Sequence, residues 1–269
     1  MKNKNIVITG GSGILLFPLV IQLAKQGNNV IAIGYEEVCP KIEALNVDNI
    51  EYMQCNVLSE SAVEELTDKI EEKYKKIDVL INGAGGNHPT ASTSCETYNL
   101  DNSDISNQDF TKLKLENFKK INDLNFLSVV LVSQKMISLM VEDGGNILNI
   151  SSMSSAKPMT KVPAYSAAKA SVDNFTKWMS VYFAESNIRI NSISPGFFLT
   201  KQNEKLLMNE DGSLTERSEK IITHTPMRRF GVPEDLVEPI EFLIDDDKAK
   251  FITGITLEVD GGFSAYAGV

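Results

Sequence analysis

Tyr165 and Lys169 stand four residues apart in "YSAAK", a spacing that places both on one face of a helix. A phenol and an ammonium so placed can trade a proton with a substrate oxygen. The ammonium stabilises phenolate and draws the ordinary phenol pKa of about 10 toward neutrality. The pattern is common, and two residues on a partly exposed helix face would show it as well. Its context is more specific. Ser152 closes "NISS" thirteen residues upstream, and Asn125, in "LNFLS", lies twenty-seven residues before that serine. A serine hydroxyl there could hold a developing oxyanion.

A second group of residues suits a phosphate. "TGGSGILLFP" (9–18) follows the apolar run "NIVIT". Glycines in such a turn permit positive φ and close backbone approach, and the next helix offers a partial positive charge. The dinucleotide spacing GxGxxG is met at Gly11 and Gly13 and fails at Leu16. Taken alone, the turn is as consistent with a plain strand-to-helix connection as with a nucleotide site. Pro18 is compatible with a helix start, where its missing N–H would be unpaired anyway.

The elements that must position these residues alternate regularly. Strand patterns at 5–9, 29–33, 50–55, 77–82, 144–151, 188–194 and 254–259 are separated by helical patterns to about 26 and over 59–76, 115–142, 162–186 and 233–245. Mostly apolar strands with helices between them predict an α/β fold: one Rossmann-type doubly wound domain over 1–269, with about seven parallel strands and helices on both faces. Two segments interrupt the alternation. The polar stretch 86–112 and the stretch 197–231 both follow strand ends, the edge where such sheets bind ligands, and are read as a substrate-side insert and a lid.

Composition excludes some partners. The formal net charge is −10, which disfavours nucleic acid and anionic membranes. The apolar run "ILLFPLVI" is too short to span a bilayer and does not read as a signal peptide. Cys39, Cys55 and Cys95 have no metal-type spacing, and His88 and His224 are not paired on one element, so no metal is expected. Reduced thiols point to the cytoplasm.

In the order and spacing of its motifs the chain resembles the short-chain dehydrogenase/reductase family over essentially its whole length. The family's "NNAG" appears as Asn82, Gly83, Ala84 and Gly85. Its catalytic set matches Asn125, Ser152, Tyr165 and Lys169, and its "PG" motif with the following threonine matches Pro195, Gly196 and Thr200. The resemblance implies hydride transfer between a nicotinamide and a carbonyl. Tyr165 would be the acid–base, Ser152 would hold the substrate oxygen, and Lys169 would also reach the nicotinamide ribose. Asn125 would place a water in a proton relay. Gly10, Gly11, Ser12, Gly13 and Ile14 are then cofactor residues, with Tyr35, Asn56 and Val57 at the adenosine end. Losing the last glycine of the turn should push the first helix away from its strand or change its angle.

NAD is favoured over NADP, which is not excluded. No Lys or Arg lies between Gln26 and Lys41, and Glu36 and Glu37 would repel a phosphate, although they could equally be solvated turn charges. Gly34 stands where an NAD-type aspartate is usual. On the substrate side, "INGAGGNHP", "NEDGSLTER" and "HTPMRRFG" resemble the D-mannonate oxidoreductase (fructuronate reductase) group within the family. That implies a sugar-acid substrate, with His88, Lys157, Lys161 and Arg228 as candidate ligands beside Ser152. Each cation is also consistent with a solvated surface charge, and His88 with a loop-stabilising role. A 5-ketogluconate reductase or another sugar or polyol dehydrogenase is the nearest rival, and a non-catalytic nucleotide-binding protein a remote one. The resemblance also implies a homo-oligomer, expected to be a tetramer.

Overall fold

A computed structural model describes residues 1–98, 108–201 and 203–268. The order is β1 (Asn5–Thr9), α1 (Phe17–Lys25), β2 (Asn29–Gly34), α2 (Pro40–Glu43), β3 (Ile50–Gln54), α3 (Glu60–Tyr74) and β4 (Val79–Asn82). Then come α4 (Leu115–Asn122), α5 (Ser128–Met136), β5 (Gly145–Ile150), α6 (Pro163–Tyr182) and β6 (Ile188–Pro195). The chain closes with α7 (Glu204–Leu207), α8 (Glu216–His224), α9 (Val237–Ile244) and β7 (Thr256–Val259).

The seven strands form one parallel sheet in the order β3-β2-β1-β4-β5-β6-β7. The strands are apolar because two cores cover them. Ile6 and Ile8 of β1 face one core with α1 and α9, and Val7 faces the other with α3, α5 and α6. Strand order reverses between β1 and β4, so a crevice opens at their C-terminal ends. The two glycine-bearing loops, 10–16 and 83–86, leave the sheet there.

Local chemistry sets the helix ends. Ser59 caps α3 by accepting from the Ala62 N–H, and Pro163 opens α6. The helix expected over 115–142 is not continuous. A π-turn at Asp123–Leu127 separates α4 from α5, and a 3₁₀ turn comes after α5 at Ile137–Leu139. A wider turn of this kind adds a residue and re-aims a side chain, often at a functional site. Here the buried residue it re-aims is Asn125.

The segment 197–231 is pinned at its base. Phe197 and Leu199 exchange backbone hydrogen bonds with Gly231 (2.9 Å each), and α7 and α8 lie between them. In the insert, Gln108 Nε2 donates to the carbonyls of Pro89, Thr90 and Ser92, and the Thr93 N–H donates to the Lys161 carbonyl at 2.8 Å. Part of the expected insert, 99–107, lies outside the described residues. Among the described residues no helix is long and apolar enough to cross a membrane.

Candidate active site

The two glycine loops are laced together. Thr9 Oγ1 accepts from the N–H groups of Gly83 (3.0 Å) and Ala84 (3.2 Å). Gly10 has φ +68°, and a Cβ there would lie 2.8 Å from the Gly83 carbonyl oxygen. Only glycine meets both demands. The Gly13 N–H bonds to the Gly10 carbonyl at 2.8 Å, while those of Ser12, Ile14 and Leu15 find no acceptor among the described residues. They stand at the mouth of α1, an arrangement suited to an anion.

Helical turns begin at Phe17, so Leu16 is the N-cap of α1, and its side chain is buried. A side chain on Gly83 would overlap Leu16 Cδ1 and come within 2.8 Å of the Thr9 carbonyl oxygen. The glycine missing from the first turn thus has its counterpart across the crevice, where the family-like second asparagine is replaced by Gly83. Leu16 takes the space this substitution leaves, which is how α1 accommodates a leucine at the position of the last glycine.

Around the tyrosine the groups converge. Lys169 Nζ lies 5.7 Å from the centre of the Tyr165 ring and donates to the Ile150 carbonyl at 2.8 Å. Burial lowers the Lys169 pKa to about 8, opposed by the Asp173 carboxylate one helical turn on. Burial raises the Tyr165 pKa, opposed by the Ser152 hydroxyl beside it. A Cβ on Gly85 would lie 3.3 Å from Lys169 Nζ and 2.8 Å from Asn125 Oδ1, so Lys169 and Asn125 border the loop after β4. Asp173 also accepts from Ser192 of β6 (3.2 Å) and from Ser155, on the short turn that Ser152 opens. It therefore ties the helix carrying Tyr165 and Lys169 to the Ser152 turn and to the strand leading to Pro195.

Comparison with known proteins agrees. Residues 17–264 match a family profile, adh_short_C2, described as enoyl-(acyl carrier protein) reductase. The chain belongs to the short-chain dehydrogenase/reductase family. It is 45% identical to UxuB of Bacillus subtilis, an uncharacterised oxidoreductase, over 100% of this chain and 98% of the relative. A solved structure from Haemophilus influenzae, provisionally named a D-mannonate oxidoreductase and holding NAD, is 40% identical. It has a TM-score of 0.93 and covers 100% of this chain and 98% of that one. The 5-keto-D-gluconate 5-reductase of Escherichia coli is 30% identical, over 97% of this chain and 96% of the relative.

The other residues expected at the cofactor of this short-chain oxidoreductase are placed unevenly. Asn82 turns into the core, where its Nδ2 donates to Ser133 (3.0 Å) and Asn149 (2.9 Å), so its side chain does not line the crevice. Asn56 is exposed and accepts from the Leu58 N–H, and Val57 is buried behind it. Tyr35 is exposed, and its carbonyl accepts from Gln54 Nε2. Gly196 packs so closely on Asp260 that a Cβ would lie 2.6 Å from that residue's Cα, which sets the Pro195–Gly196 bend against the loop after β7. The Thr200 N–H is held by Asn203 Oδ1 at 2.8 Å. The side chain of Asn125 is turned to the loop after β4. Its Nδ2 donates to the carbonyls of Gly86 (2.7 Å) and Ile121 (2.8 Å), and its Oδ1 accepts from the Gly86 N–H (3.0 Å). In this structure it is a clamp on the loop.

Of the substrate-side candidates, three have partners within the chain. His88 Nδ1 contacts its own turn at Thr90 (2.9 Å). Arg228 donates to the Thr223 carbonyl at the end of α8 (2.7 Å). Exposed Lys157 reaches the Tyr266 carbonyl at 3.5 Å. Lys161, four residues before Tyr165, has no side-chain bond among the described residues and is half-buried with φ +71°. Sequence reasoning missed Thr9 and Asp173. The spacing of Asp173 on the same helix face as Tyr165 and Lys169 could have signalled the latter. Nothing local signals the Thr9 contacts, which reach seventy-four residues along the chain.

Proposed function

We propose that this chain is an NAD-dependent oxidoreductase that interconverts a keto sugar acid and its hydroxy acid, D-fructuronate and D-mannonate. The observation that carries the reaction type is the convergence of Tyr165, Lys169 and Ser152 beside a loop whose partner turn presents unpaired amides. The residues fit a dinucleotide: Gly10 leaves no room for a side chain, and free N–H groups stand at the start of α1. The sugar-acid choice is supported by the name given to the Haemophilus neighbour and by the polar insert beside the site. NAD is supported by the cofactor in that neighbour and by Glu36 and Glu37 after β2.

When bound, the nicotinamide supplies the hydride that reduces the carbonyl carbon. Tyr165 delivers the proton to the carbonyl oxygen as negative charge builds there. Ser152 holds that oxygen by hydrogen bond, and the Lys169 ammonium stabilises the phenolate left on Tyr165. Asn125 keeps the loop at Gly86 in place. Among the cations considered, Lys161 is the one left to meet the substrate carboxylate.

NADH oxidation against a panel of keto acids tests the reading. Fructuronate is expected to react at least about tenfold faster, by kcat/KM, than 5-ketogluconate or neutral fructose. The similarity to a 5-keto-D-gluconate 5-reductase makes the reverse order the main rival outcome. Equal rates on fructose would remove the carboxylate contact.

Acid–base behaviour provides a second check. Lys169 loses its proton as pH rises through about 8. kcat/KM for reduction, which reports the free enzyme, is therefore expected to fall above that pH. In Asp173→Asn the same limb moves to lower pH, because the carboxylate that opposes the effect of burial is gone. An unmoved limb would show that Asp173 does not act on Lys169.

Assembly as a homotetramer is part of the proposal. Exposed apolar side chains occur in two regions: Trp178, Val181 and Tyr182 on α6, and Phe242 on α9 with Phe251 and Ile255 in the segment before β7. The first is a stack, with Trp178 and Tyr182 ring centres 4.9 Å apart. Two distinct self-complementary faces are what a tetramer with three mutually perpendicular two-fold axes requires. Trp178→Glu is expected to yield dimers by light scattering, and a monomeric parent protein would end this part of the proposal. The buried, unbridged thiols of Cys39 and Cys55 and the lack of a spanning helix among the described residues suit the cytoplasm.

A further inference from the structure

Gly34 closes β2, where a dinucleotide fold ordinarily carries the carboxylate that binds the adenosine ribose. The space for a side chain there is already filled. A Cβ on Gly34 would lie 2.5 Å from the Tyr52 hydroxyl, and closer still to Ser12 Oγ. Tyr52 comes from the paired strand β3, and Ser12 from the turn with the unpaired amides. Two hydroxyls, one from eighteen residues after position 34 and one from twenty-two before it, thus meet at one point in the crevice. The Tyr52 hydroxyl donates to the Glu36 carbonyl at 2.5 Å, which commits its proton and leaves its oxygen as an acceptor, shared with the Ser12 hydroxyl beside it.

Resting on the NAD reading above, we propose that Tyr52 and Ser12 replace the missing carboxylate, with Tyr52 accepting the adenosine 2′-hydroxyl and thereby selecting NAD over NADP. A 2′-phosphate brought to the same point meets an oxygen whose proton is already given away, with Glu36 and Glu37 next in the chain. Lys41, the next cation along the sequence, is held over the Phe17 ring at 4.2 Å. Burial of Tyr52 raises its pKa, so the hydroxyl stays protonated and its donation to Glu36 persists at neutral pH.

Fluorescence titration with NADH, NADPH and NADH lacking the adenosine 2′-hydroxyl tests this. The parent protein is expected to bind NADH about fivefold more tightly than the deoxy analogue, and Tyr52→Phe to bind the two alike. NADPH affinity should change little in Tyr52→Phe, so the NADH preference narrows. Gly34→Asp/Ser12→Gly/Tyr52→Ala, in which a carboxylate takes the vacated space, is expected to bind NADH within about threefold of the parent. A Tyr52→Phe protein that still distinguishes NADH from the deoxy analogue overturns the inference while leaving the NAD reading intact. A parent protein that binds no NADH overturns both.

Discussion

Tyr165→Phe is expected to lower turnover about a thousandfold while the dissociation constant for NADH stays within about twofold of the parent value. The substitution deletes one oxygen. It leaves the ring, its packing with Ala164 and Phe118, and the phosphate-facing turn untouched. What disappears is the group that gives a proton to the carbonyl oxygen, and among the described residues no other phenol stands beside Lys169 to replace it. Burial alone would hold the Tyr165 proton too tightly, because it raises the pKa. The Ser152 hydroxyl opposes that effect, and the Lys169 ammonium, 5.7 Å from the ring centre, favours the phenolate that proton transfer leaves, which is why the three groups and not the tyrosine alone define the site. Stopped-flow NADH oxidation and a parallel binding titration separate the two quantities. Parent-like turnover in the variant would remove Tyr165 from the chemistry.

The second large effect concerns Leu16 and Gly83. Gly83→Ala is expected to lose about 2–3 kcal/mol of stability, since its methyl group would overlap Leu16 and crowd the Thr9 carbonyl oxygen. Leu16→Ala is expected to lose about 3 kcal/mol by opening a cavity in a buried position. The two should not add. With Leu16 shortened, the methyl group on residue 83 enters space already vacated, so the double variant recovers about 1 kcal/mol or more of the summed loss. Recovery is incomplete because the Thr9 oxygen belongs to the backbone of β1 and cannot retreat. Denaturant unfolding of the four proteins measures the coupling, and strict additivity would show that the two residues do not share the space.

Much of this was legible in the sequence. The seven parallel strands are implied by apolar runs that make sense only if buried on both faces. Tyr165 and Lys169 were legible because a helix converts a spacing of four into proximity. The break in the long helix before β5 was not, since a π-turn leaves the apolar pattern nearly unchanged while rotating the helix beyond it. The direction of the Asn82 side chain was not legible for a related reason. Its motif names a loop at the crevice, yet the residue is the last of β4, and strand alternation turns its side chain inward to Asn149.

The chain order of helices and strands, the pairing of tyrosine with lysine and the acidic balance are local or summed properties, and the sequence by itself determined them. Contacts between residues distant along the chain were decided only by the tertiary structure. Leu16 reads as a defect in a glycine motif until Gly83 is seen opposite it, and Gly34 reads as a missing acid until Tyr52 and Ser12 are seen in its place. The physical reason is the same in both cases. A volume or an acceptor needed at one point in space can be supplied from any strand that reaches it, and only the packed sheet shows which one does.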